Sequence, residues 1–297
     1  MKKIVLTILT LSLLAGCSLV SSPPPKDKLQ IAVSVLPQTW FVRELTGDLA
    51  NVFALVGSGD DAHTYEPSPQ QMLSLADADI YFTIGMEFES AWLPKFSNAN
   101  TAMRVVDSAF GIQLITLGGE LEMAGRNTRS SYGHDGLDPH IWYSPARMKQ
   151  MSQTMAKALI TYNPENKTVY EQNLAILLKK IEQVDQKVKE RLTGLSKDTF
   201  LAAHPAWGYF ADAYGLHQLA IEEEGQEPGP ETLAALILKA RELGIHTIIT
   251  QKGVDHKLVQ SVSGQLGGAE IIELDSLSEN WETAMLEAAD ALAKALK

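Results

Sequence analysis

The sequence predicts an α/β chain of two lobes, each a mainly parallel sheet flanked by helices, joined by one long rigid helix. Three observations predict it. Apolar runs of strand length alternate with helical patterns along most of the chain. The alternation occurs twice, once in each half. Between the halves lies a single long amphipathic segment. Alternating β and α segments build parallel sheets covered on both faces.

The elements follow in order. In the first half LQIAVSV (29–35), NVFALV (51–56), DIYFTIG (79–85) and MRVVD (103–107) read as buried strands, with helical segments between them at 39–49 and 69–76. Asn163-Pro164 then supplies an N-cap and a proline at the first helical position. Leu174, Leu177, Leu178, Ile181, Val184, Val188 and Leu192 step by three or four, and Gly194 supplies a stop. About 28 residues at about 1.5 Å each make a rod of roughly 40 Å, long enough to cross between lobes and limit their hinging. The second half repeats the scheme with TFLAA (199–203), HQLAIE (217–222), HTIIT (246–250) and EIIEL (270–274). Glu66-Pro67-Ser68-Pro69 and Glu227-Pro228-Gly229-Pro230 each follow a strand and lead into a helix, an internal echo that suggests related lobes.

The N-terminus is a targeting segment. MKKIVLTILTLSLLAGCS has two lysines, an apolar run too short to span a bilayer comfortably, and small residues before the only cysteine, Cys17. Leu14-Ala15-Gly16-Cys17 resembles the lipobox of bacterial lipoproteins, in which that cysteine is lipidated and several acyl chains hold the protein on a membrane. A lone cysteine excludes a disulfide framework and a thiolate metal site. SLVSSPPPKDK reads as an extended tether. The expected organisation is a signal peptide (1–16), a lipidated tether (17–28), an N-terminal lobe (29–162), a connecting helix (163–194) and a C-terminal lobe (195–297). A net charge of −11 and a pI near 5.1 argue against a nucleic-acid partner and mildly favour cationic ligands.

The seven histidines occupy different settings. His63 follows the strand at 51–56, His204 directly follows TFLAA, and Asp275 directly follows EIIEL. His140 sits in DPHIW, just ahead of the helix starting near Ser144-Pro145. Ligands of open parallel sheets bind outside the carboxyl ends of the strands. His63 from one lobe, and His204 and Asp275 from the other, could therefore converge on the cleft between lobes.

Three imidazoles and one carboxylate make a sensible tetrahedral set for a borderline divalent ion such as Zn²⁺. A complete set of four leaves no position for an activated water, which argues against catalysis. Spacing alone gives this set modest support, because the four lie far apart and there is no H-E-x-x-H. Asp138 could orient an imidazole as an acceptor behind it. Glu66 is a possible auxiliary ligand. His134, in the loop RNTRSSYGHDGLD, reads as an exposed loop histidine that could sample metal. His217 and His246 lie at strand starts and read as structural, and His256 as a solvated side chain. Trp207, Tyr209 and Phe210 read either as cleft wall or as core at helical spacing.

The lipobox, HTYEPSP, DPHIW, HPAWGYFADAYGL, the long central helix and LDSL occur in the order expected of zinc/manganese ABC-transporter substrate-binding lipoproteins, which the mature chain resembles throughout. The resemblance implies two α/β lobes joined by a long helix, with a metal between them held by His63, His140, His204 and Asp275. It further implies an exported, lipid-anchored, monomeric receptor, not an enzyme, that delivers its ion to a membrane permease driven by a cytoplasmic ATPase. Members that favour manganese often carry glutamate where His204 stands, so histidine here points to Zn²⁺, with Mn²⁺ the alternative. The chain departs from the pattern in its loop before DPH, which retains only His134, and in Gln251, where glutamate is common. The rivals are a binding protein for a metal chelate or a corrinoid, which needs a roomier cleft, a secreted metallohydrolase, for which Glu66 is the only obvious base, and an adhesin, a role that could coexist with transport.

Overall fold

The computed structural model describes residues 28–60, 65–116, 137–222, 227–253 and 256–297. The first half contains β1 (Leu29–Val35), α1 (Leu36–Thr46), β2 (Ala50–Val56), α2 (Pro69–Ala76), β3 (Ile80–Thr83), α3 (Glu87–Ala99), β4 (Arg104–Asp107) and α4 (Pro145–Tyr162). After α5 (Lys167–Arg191), the second half contains β5 (Thr199–Ala202), α6 (Gly208–Tyr214), β6 (His217–Ala220), α7 (Pro230–Glu242), β7 (Thr247–Gln251), α8 (His256–Gln265), β8 (Glu270–Leu274) and α9 (Trp281–Leu296). The strands form two parallel sheets of four, in the orders β2-β1-β3-β4 and β6-β5-β7-β8.

The two sheets therefore repeat one topology. Both E-P-x-P segments occupy its equivalent place, entering α2 and α7 ahead of β3 and β7. At α2 the Ser68 hydroxyl accepts from the Gln71 amide while the Gln71 side chain accepts from the Ser68 amide, a reciprocal cap. Gln71 also donates to the Leu55 carbonyl at 2.7 Å, which ties this turn to the end of β2. The central strands show why apolar runs rather than alternation marked them. Residues 31–35 of β1 and all of β3 are buried, as both faces of a parallel sheet require.

Two helices differ from expectation at their ends. α1 begins directly at Leu36 because Pro37 suits the first turn, and it stops at Thr46 before Gly47, whose φ of 52° leaves the helical region. Asn163 caps only a 3₁₀ turn (Pro164–Asn166), and the α-helical rod proper is the 25 residues of α5, about 37 Å long.

α5 packs on α1 and α4 on one side of the molecule and on α9 on the other. Leu177, Ile181, Val184 and Val188 are its buried stripe, each contributing about 1.5–3 kcal/mol of transfer free energy. Polar ties run to both lobes: Lys180 to Glu44 at 2.6 Å, Lys187 to Glu282 at 2.9 Å and Arg191 to Asp290 at 2.9 Å. Trp281, at the start of α9, joins the halves a second time. Its ring lies 5.1 Å from Phe41 and 5.4 Å from Trp40 of α1, and its indole N–H donates to the Trp142 carbonyl at 2.6 Å. A continuous core accordingly runs from the first sheet through α5 and α9 to one face of the second sheet, while a second cluster fills the opposite face under α7 and α8.

One buried acid stands out in the first lobe. Glu89 is 1% exposed and accepts from the Ile84 amide at 2.9 Å, the Gly85 amide at 2.9 Å and the Ser34 hydroxyl at 2.5 Å. Burial pushes its pKa up from 4.5 to about 7, against those three bonds. A folded value above the unfolded one favours the fold where the acid is protonated. That contribution is intact below about pH 4.5 and lost as the pH rises through about 7. Urea unfolding across pH 4–8 is expected to show this loss, of about 3 kcal/mol at most, and Glu89→Gln is expected to remove it. The same slope in both proteins would contradict the assignment.

Candidate metal centre

The site lies where the carboxyl ends of the strands of the second sheet meet the segment before α4. His204 is two residues past Ala202 of β5, and Glu222 is two residues past Ala220 of β6. Ala202 and Ala220 are register partners in a parallel pair, so the residues beyond them run side by side. The result is a 2.8 Å contact between His204 Nδ1 and Glu222 Oε2. His140 is positioned from its own segment: Asp138 Oδ1 accepts from both the His140 amide at 2.8 Å and Nδ1 at 2.7 Å.

A carboxylate only accepts, so in each pair Nδ1 carries a hydrogen, and in the neutral ring Nε2 then carries the lone pair. That is the tautomer of an imidazole presented to a metal through Nε2, with a carboxylate behind it raising its basicity. The two rings converge with centroids 5.2 Å apart and planes at 73°. Both are nearly enclosed, His140 at 6% and His204 at 3% exposure.

Deeper packing holds Asp138. Its backbone carbonyl accepts from the Tyr209 hydroxyl at 2.8 Å, and that hydroxyl in turn accepts from the Ile115 amide at 3.2 Å. Burial first, then the Asp138 charge, keeps the Tyr209 phenol well above its usual pKa and so neutral. Trp207, Tyr209 and Phe210 are all fully buried, which settles them as core rather than cleft wall. Asp138 Oδ2 is buried without a hydrogen-bond partner among the described residues and faces Gly208, where an added Cβ would come within 2.6 Å of it.

Asp275 follows β8 and sits beside Lys252, which follows β7; Gln251 and Leu274 are the register pair just before them. Lys252 Nζ lies 3.0 Å from Asp275 Oδ2, the Ser58 hydroxyl donates to the same oxygen at 2.7 Å, and the Leu277 amide donates to Oδ1 at 3.2 Å. The hydrogen bond to Asp275, then its charge, raises the Lys252 pKa and keeps it an ammonium. Trp142 links this segment to His140: its ring is 5.1 Å from the imidazole, and its indole N–H donates to the Ser276 carbonyl at 3.0 Å.

The structure thus brings His140 and His204 together and places Asp275 on Lys252 and Ser58. Among the described residues, no three His, Cys, Asp or Glu side chains form a group that could hold an ion. His63 and His134 lie outside the described residues. The segment just after His63 is firmly anchored, with Tyr65 stacked edge-on against Phe88 at 5.0 Å and Ser68 capping α2. Glu66 is exposed on that segment. His217 and His246 are exposed at the amino ends of β6 and β7, away from the site. His256 is not simply solvated, because Nε2 pairs with Glu273 Oε2 at 3.2 Å. Sequence reading missed Glu222, Lys252 and Ser58; the strand register is the signal that finds the first two.

Gly208→Ala is expected to cost about 1–3 kcal/mol in urea unfolding, because the new methyl overlaps the Asp138 carboxylate and approaches Ile115. Gly264→Ala, with open space at its Cβ and a helical position in α8, is expected to gain about 0.5–1 kcal/mol. Equal effects at the two glycines would contradict the packing at Gly208.

Comparison with known proteins identifies the family. The profile of a family described as zinc-uptake complex component A periplasmic (ZnuA) matches residues 31–295. The zinc-binding lipoprotein AdcA of Streptococcus pneumoniae is 29% identical over 270 residues, covering 90% of this chain and 54% of AdcA. The chain therefore spans about half the length of that relative. The manganese ABC transporter substrate-binding lipoprotein PsaA of Streptococcus pneumoniae is 28% identical over 265 residues, covering 86% of this chain and 82% of PsaA. A crystal structure of ZnuA superimposes with a TM-score of 0.82 at 36% identity, covering 91% of this chain and 100% of that one. Two four-stranded parallel lobes on one long helix, with a profile match over nearly the whole folded region, place the chain in the family of zinc-uptake complex component A, the ZnuA family.

Proposed function

We propose that the chain is an extracytoplasmic receptor that binds one divalent cation, zinc in preference to manganese, and hands it to the membrane permease of an ABC transporter driven by a cytoplasmic ATPase. The observation that carries this reading is the pair of converging imidazoles, each held through Nδ1 by a carboxylate. Such pairs cost conformational freedom in the folded protein and return it as pre-organisation when an ion arrives.

The proposed ligands are His63, His140, His204 and Asp275. Neutral imidazoles bind without adding charge, so the site with one carboxylate keeps one net positive charge around a 2+ ion. A set of three nitrogens and one oxygen suits Zn²⁺ better than Mn²⁺, which prefers oxygen. Four protein ligands also leave no open position for an activated water, so the site is read as carrying an ion rather than as catalysing a reaction. AdcA and ZnuA, relatives named for zinc, support the choice of metal. PsaA, named for manganese, marks the second reading, which the nitrogen-rich set disfavours.

Anchoring is proposed to be through lipid on Cys17, with the receptor acting as a monomer on the outer side of the membrane. No helix among the described residues is long and apolar enough to cross a membrane.

Competitive calorimetry on the metal-stripped protein is expected to give one zinc per chain with manganese much weaker. His204→Ala is expected to abolish the tight phase, and Asp138→Asn to weaken zinc by about 10- to 100-fold through loss of the carboxylate behind His140. No stoichiometric zinc, or binding indifferent to His204, would overturn the proposed site.

A further inference from the structure

Asp275 is the one proposed ligand whose carboxylate already holds a cation of the protein itself. Lys252 Nζ is 3.0 Å from Oδ2, and Ser58 donates to the same oxygen at 2.7 Å. These two partners come from different lobes. Lys252 follows β7 of the second sheet, whereas Ser58 lies in the turn after β2 of the first. The same two turns also meet through their backbones. A Cβ at Gly253 would lie 2.9 Å from the Gly59 carbonyl oxygen, and both glycines adopt positive φ, 86° and 83°. No other residue fits such an approach with that backbone. The contact is polar and lies at the strand ends, next to the Trp142–Ser276 hydrogen bond that also joins the lobes.

From this we infer that Lys252 is an internal counter-ion and Ser58–Asp275–Lys252 a latch: in the metal-free protein the ammonium occupies the carboxylate that the divalent cation needs, and entry of the ion displaces it. The inference rests on Asp275 being a ligand, as proposed above. Its sign does not depend on which oxygen takes the ion. On Oδ2 the ion would meet the ammonium and the hydroxyl directly. On Oδ1 it would sit a carboxylate's width from the same ammonium, and the two positive charges would repel at short range. Lys252 thus lowers affinity for any divalent cation while keeping a buried-edge carboxylate paired and the two lobes in contact when the site holds no ion. Release of the ion to a permease restores that pairing, which favours unloading. The register pair Gln251–Leu274 makes the arrangement a property of the sheet, since it sets the two following residues side by side.

The test compares unsubstituted protein with Lys252→Met, Lys252→Arg and Ser58→Ala in two measurements. Lys252 is half exposed, so its replacement leaves the core intact. In competitive zinc titration, Lys252→Met is expected to bind about two- to fivefold tighter, the scale of an exposed ion pair, and Lys252→Arg to match the unsubstituted chain. In metal-free protein, amide exchange of the 57–60 turn is expected to accelerate in both Lys252→Met and Ser58→Ala. Unchanged or weaker zinc binding by Lys252→Met would overturn the competition and assign Lys252 a supporting role behind a coordinating carboxylate. Unchanged exchange in both variants would overturn the latch. Absence of zinc binding by the unsubstituted protein would overturn the receptor reading and the competition with it, while the exchange measurement still decides the latch on its own.

Discussion

The pinning of two imidazoles by two carboxylates is the interaction on which the site depends. A histidine side chain free to rotate and to exchange tautomers is a poor ligand, because binding must first fix the ring and clear a lone pair. Asp138 does this for His140 with both the ring and the backbone on one oxygen, and Glu222 does it for His204. Much of the surrounding fold serves these two contacts. Tyr209 steadies Asp138 from below, Gly208 makes room for its second oxygen, and the β5–β6 register delivers Glu222. Burying an acid costs desolvation free energy, which hydrogen bonds to it offset.

The second constraint is the separation of the two sheets. A cleft made of strand ends from different lobes works only if the lobes keep a defined relation, and three of the features that maintain it differ in kind. α5 is packed against both halves, Trp281 is wedged between α1 and the residues around Trp142, and the turns carrying Gly59 and Gly253 touch. The first two are apolar and extensive, while the last is small and polar. That asymmetry makes the polar turn contact the easiest of the three to open.

Much of this was legible in the sequence, for physical reasons. Parallel strands buried on both faces are nearly continuous apolar runs, so β1, β3 and β5 stand out without any alignment. Prolines at the first turns of α2, α4 and α7 mark their starts, and the stripe from Leu177 to Val188 marks α5. His140 and Asp138 are adjacent in the chain, so their pairing is local and readable. Glu222 and Lys252 were not readable in the same way. Each meets its partner only through strand register, which depends on pairing between distant segments. Ser58 reaches Asp275 across 217 positions of sequence, a contact set by how the two lobes abut. Helix ends moved for local reasons: Pro37 let α1 start directly after the strand's last residue, and the turn after Asn163 took 3₁₀ form before the rod began.

The central claim is that one ion sits among imidazoles drawn from both lobes and a single carboxylate. X-ray absorption at the zinc edge of protein loaded with one equivalent tests it most directly, because imidazole rings give a distinctive outer-shell pattern. The account expects four light-atom ligands at about 2.0–2.1 Å, with outer-shell scattering from three imidazoles that falls to two in His63→Ala. A shell with fewer than two imidazoles, or one unchanged by loss of His63, would contradict it.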